Sequence, residues 1–185
     1  MRLLLLSFVI VFVSCKKDDP LTPTLPIIPN EEEVITTLNY TLTAPNGDVV
    51  LFSFKDVDGD GGNAPVVVNG ALDTNLTYSG KIELLNETVS PAEDITEEVK
   101  EEGDEHQIFY QFSNPDLGTT YTDADANGKP IGVSTQLITK GTSSSTLTIT
   151  LRHTPDKNAS DVASGDISNA GGETDIEVTF AVDVK

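Results

Sequence analysis

From Glu31 onward the apolar residues fall on alternate positions. Val34, Leu38, Tyr40 and Leu42 share one parity, and Val50, Phe52 and Phe54 repeat it beyond the turn Pro45-Asn46-Gly47-Asp48. Alternation of this kind puts one face of a β-strand into a core and the other into water. Runs at Pro65 to Val68, Leu76 to Leu85, Gln107 to Phe112 and Thr119 to Thr122 read as further strands. Ile131 to Thr139 and Ser145 to His153 are predicted to form a hairpin around Gly141-Thr142-Ser143. The last stretch alternates most cleanly, with Ile176, Val178, Phe180, Val182 and Val184 set against Glu177, Thr179, Ala181 and Asp183.

One segment breaks the period of two. Ser90 can cap a helix, Pro91 suits its first position, and Glu93 completes a capping box. Ile95 and Val99 then form a narrow apolar stripe and Gly103 supplies the stop, so a short helix is predicted at about residues 91–102. About seven to nine short antiparallel strands with one interposed helix imply an all-β fold, an immunoglobulin-like sandwich, with a small barrel as the alternative. The 185 residues suffice for one such domain, expected at 31–185.

Charge narrows the partners. Eleven basic residues against 30 acidic ones give a formal charge of −19, which excludes a nucleic-acid partner on electrostatic grounds and favours cations. Enzyme signatures are missing: the chain has no Gly-x-Ser-x-Gly, His-Glu-x-x-His, phosphate-binding loop or dinucleotide glycine pattern, so no catalytic residues are expected.

Arg2 followed by the apolar run Leu3 to Val13 has the shape of a signal peptide over residues 1–14, too short for the ~20 apolar residues of a membrane span. The run ends in Phe12-Val13-Ser14-Cys15, which resembles the lipobox of bacterial lipoproteins; that resemblance implies a diacylated Cys15 and attachment to a membrane. Cys15 is the chain's one cysteine, so no thiol is left for a disulfide or a metal. Lys16-Lys17-Asp18-Asp19 resembles the signal that sends lipoproteins of Bacteroidetes-type bacteria to the outer face of the outer membrane. Prolines 20, 23, 26 and 29 favour an extended tether over residues 15–30.

Two loops open like a calcium-binding pattern, Asp-x-[Asp/Asn]-x-[Asp/Asn]-Gly: Asp56, Asp58 and Asp60 before Gly61, and Asp123, Asp125 and Asn127 before Gly128. Both lack the glutamate at position twelve, where Val67 and Ser134 stand, and either can equally be a turn held by its own side chains. His106 and His153 are the candidates for zinc or copper. Strand parity brings both to one end of the sandwich, together with the Asp123 to Gly128 turn and the carboxylates of Glu102, Asp104 and Glu105.

The runs Leu85-Asn86-Glu87-Thr88, Ser90 to His106 and Asn169 to Ile176 resemble a family of small Bacteroidetes-type lipoproteins that carry the label type 1 periplasmic binding fold superfamily protein. The resemblance implies a surface lipoprotein. A periplasmic-binding fold needs two α/β lobes and roughly twice this length, whereas the pattern here is all-β. The expected function is therefore a surface-exposed outer-membrane lipoprotein whose acidic sandwich binds divalent cations or a partner, as accessory to an outer-membrane receptor. The competing expectation is a structural or adhesion module at the cell surface, with calcium only stiffening its loops.

Overall fold

A computed structural model describes residues 33–59 and 61–185. The expected signal peptide, Cys15, the Lys16 to Asp19 signal, the tether and Asp60 lie outside the described residues. The described chain is an all-β sandwich of two open sheets. The larger sheet is built from β1 (Thr37–Thr43), β2 (Val49–Lys55), β3 (Val66–Val68), β5 (Thr77–Asn86), β8 (Leu117–Tyr121) and β9 (Ser134–Thr139) in the order β3-β2-β1-β5-β9-β8, and β6 (Glu93–Asp94) pairs with β5. The smaller sheet, ordered β4-β11-β10-β7, contains β4 (Ala71–Leu72), β7 (His106–Phe112), β10 (Ser143–His153) and β11 (Glu173–Val184). All pairings are antiparallel except β4 with β11.

The core is the one the alternation specifies. Leu38, Tyr40 and Leu42 on β1 and Tyr78, Ile82 and Leu84 on β5 face Leu147, Ile149, Val178 and Phe180 from the other sheet, all buried. Close approach is enforced at Gly80, where a Cβ would fall 2.4 Å from Thr135 Oγ1 and 2.6 Å from the Tyr40 hydroxyl.

Two local expectations change. The helix α1 is Ile95–Glu101, later and shorter than predicted. Glu93 and Asp94 pair with Asn86 and Leu85 instead of opening the helix, and Asp94 becomes the N-cap by accepting the Thr96 N–H at 3.0 Å. The Ile95/Val99 stripe is as read, both side chains being buried. Thr96 docks the helix on the end of β5, its hydroxyl accepting the Leu84 N–H at 2.9 Å.

The predicted hairpin of β9 and β10 is a corner between the sheets: β9 pairs with β5 and β8, while β10 pairs with β11 and β7. Each strand has one apolar face, and crossing at Lys140 to Thr142 lets both face the same core. The long polar loop from Thr154 also has a structural task. Its Val162 and Ala170 are buried against Phe109 on the outer face of β7, and Gln107 Nε2 donates to Val162 O at 2.8 Å.

Candidate metal centre

The register of β7 against β10 places His106 directly opposite His153. Both rings are on the core side of the smaller sheet, in line with Ile108 and Leu151, at the end where α1 delivers Glu102. The rings stack, with centroids 5.0 Å apart and planes 11° from parallel. Parity reasoning thus brings the two histidines together, and closer than it alone required. Stacking also limits what they can share. An ion held by imidazole lies ~2.0–2.1 Å from nitrogen and in the ring plane, so two parallel, face-to-face rings do not converge on one ion.

His106 is fully buried. Its Nδ1 lies 3.2 Å from the carbonyl oxygen of Glu102. Only an N–H can bond a carbonyl, so Nδ1 carries the proton and the neutral ring leaves Nε2 with a bare lone pair, the tautomer a metal ligand needs. That Nε2 has no hydrogen-bond partner among the described residues, and neither does Glu102 Oε2. It points instead at carboxylates: Glu33 Oε1 at 3.8 Å and Asp175 Oδ2 at 3.9 Å. One donor atom from each of Glu33, Glu102 and His106 lie within 4.8 Å of one another. Donors at ~2.05 Å on a tetrahedral ion stand about 3.3 Å apart, so this set is more open than a closed tetrahedral site.

Electrostatics point the same way. Burial, then the charges of Glu98, Asp175 and Glu102, push the Glu33 carboxyl up to about 7, against a lowering contribution from His153. Burial lowers His106 below the ordinary imidazole range, only partly offset by its bond to the Glu102 carbonyl. A lone pair facing buried carboxylates is unfavourable until a proton or a metal ion stands between them.

Two members of this cluster escaped the sequence reading. Glu33 precedes the first strand, where no periodicity marks it. Asp175 is the product of a bulge: Leu151 pairs with Ile176 but Arg152 with Thr174, leaving Asp175 as the extra residue. The bulge turns a side chain that simple alternation would send outward to a fully buried position beside His106. His153 Nε2 lies 3.8 Å from Glu105 Oε2.

The other predicted residues go elsewhere. Asp123 accepts the N–H groups of Gly132 and Ser134 at 2.8 and 2.7 Å. Asp125 Oδ1 accepts those of Asn127 and Lys129, and Oδ2 lies 3.1 Å from the Lys157 ammonium. Lys157 also donates to Pro130 O at 2.8 Å and to Gly103 O. A protein ammonium therefore stands among these oxygens. Burial alone would raise Asp125, yet bonds from Lys129, Lys157 and Asn127 hold it below the usual carboxylate range. In the first loop Asp56 accepts the Gly59 N–H, and Asp58 accepts both the N–H and the side-chain amide of Asn63. Both loops are turns closed by their own side chains.

Comparison of the chain with family models, with curated proteins and with solved structures finds no match.

Proposed function

We propose that the chain is a surface-exposed lipoprotein whose sandwich binds one divalent transition-type cation, with zinc as its representative, through Glu33, Glu102 and His106. The carrying observation is the fully buried His106 ring, tied at Nδ1 and aimed with a bare Nε2 at carboxylates. One imidazole and two carboxylates make a borderline ligand set suited to zinc and its neighbours more than to calcium. Three protein ligands leave a fourth position for water or for Asp175, whose Oδ2 lies 3.9 Å from the same Nε2. The formal charge of −19 concentrates cations at the surface.

The lipobox-like Cys15 and the following charged signal support anchoring at the outer membrane, where captured cation could be passed to a receptor. His153 stacks on the ligand ring and holds its orientation. Metal analysis by mass spectrometry after incubation with excess zinc and desalting is expected to give one zinc per chain in the wild type and little in Glu102→Ala. Zinc retained equally by both proteins would contradict this reading.

A further inference from the structure

The ligand set is drawn from parts of the fold of unequal security. His106 begins a strand that is hydrogen-bonded along its length, and Glu102 is the C-cap of a helix docked on β5. Glu33 belongs to neither. Residues 33–36 are outside any strand, and the first backbone bond of this lead-in among the described residues is Thr36 N–H to Leu85 O, at 2.9 Å. Ahead of it, Val34 is 56 % exposed and Ile35 is only partly buried against the core. Yet the Glu33 side chain is only 8 % exposed, reaching His106 on β7. It approaches this position against the negative charges of Glu98, Asp175 and Glu102.

We propose that cation capture and docking of the lead-in segment are one event: a cation on Glu102 and His106 recruits Glu33 and clasps residues 33–36 to the end of the sandwich. This rests on the cation site proposed above. Without the ion, Glu33 faces like charges, and behind it stand the Ile35 contact and the bonds that Thr36 makes to Leu85, Asp56 and Glu87. With the ion, Glu102 becomes a co-ligand, the cation offsets the charges of Glu98 and Asp175, and attraction replaces repulsion. The point where the domain is secured then moves from Thr36, the start of the ladder, to Glu33. Loading is thereby reported to the segment that leads into the domain, which gives a cation-carrying protein a distinction between loaded and unloaded forms.

The test uses the full chain in detergent, with zinc as probe and amide hydrogen exchange read by mass spectrometry. Calorimetry on the same samples gives the zinc affinity. Zinc at 100 times its dissociation constant is expected to slow exchange of the Thr36 amide, which is bonded to Leu85 O, by up to about 100-fold, because opening must first release the ion. In Glu33→Ala, zinc should still bind more weakly through Glu102 and His106, with no slowing at the Thr36 amide and unchanged exchange along β5. Zinc binding in the wild type with no change at the Thr36 amide overturns the clasp and leaves the cation site standing. Equal slowing in Glu33→Ala overturns it as well. No zinc binding in the wild type removes the cation site and the clasp together.

Discussion

His106 and Glu33 are shifted in opposite directions, and their signs give the metal-free protein a characteristic pH response. Glu33 titrates at about 7 in place of 4.5, so between these values the folded state holds a proton that the unfolded state has lost, and stability falls as pH rises. His106 is lowered from 6.5, so its contribution is lost in the other direction, as pH falls below 6.5 through the folded value. The two oppose each other below 6.5, and above it Glu33 acts alone. The melting temperature of the chelator-treated protein is therefore expected to fall between pH 6.5 and about 7.5, and the fall should be absent in Glu33→Gln. Zinc should cancel it, since the ion replaces the proton. A melting temperature that rises over this interval in metal-free protein would rule out the Glu33 assignment. At this scale the sequence exposed only half of the site. The histidines were legible because strand parity is local and cumulative; Glu33 lies before any pattern, and Asp175 is aimed by a register shift between Leu151 and Arg152.

Elements were legible where burial alone decides them. β5 and β11 alternate as read, β1 does so from Leu38 onward while Val34 lies ahead of it and exposed, and Ile95 and Val99 form the buried stripe of α1. The helix starts later than the local capping sequence predicts because Glu93–Asp94 turn back to pair with the preceding strand at Leu85–Asn86. The corner between β9 and β10 was read as a hairpin because alternation fixes faces and not partners. Lys157 was invisible for a related reason, since nothing local distinguishes it from a surface lysine. It joins three loops through Asp125, Gly103 and Pro130, with its side chain 5 % and that of Asp125 2 % exposed. Lys157→Met leaves a buried carboxylate without its cation and is expected to cost about 3–5 kcal/mol in urea unfolding. The double variant with Asp125→Asn should recover part of that loss. A loss below about 1 kcal/mol in the single variant would mean that water replaces the ammonium readily.

The whole molecule combines a fold legible as a β-sandwich from alternation with a proposed location that rests on residues preceding it. Cys15→Ala is expected to shift the protein from the membrane to the soluble fraction, and Lys16 to Asp19 replaced by alanines should leave it anchored but shielded from external protease. An unchanged membrane fraction in Cys15→Ala would remove the lipid anchor from the account. Charge acts at this scale too. A formal charge of −19 gathers cations without selecting among them, and that diffuse component weakens with salt. In the proposed site, selection falls to the buried ring and its carboxylates, which salt screens far less.

Zinc titration by calorimetry at about 0.15 M salt, in the full chain and in His106→Ala and His153→Ala, separates these two kinds of binding. The account predicts one saturable site in the wild type, loss of at least about 100-fold in affinity in His106→Ala, and a smaller loss, about 10-fold, in His153→Ala, whose ring supports the ligand without being one. Equal affinity in the wild type and His106→Ala would contradict it, leaving an acidic surface that holds metal diffusely around a buried histidine with a packing role.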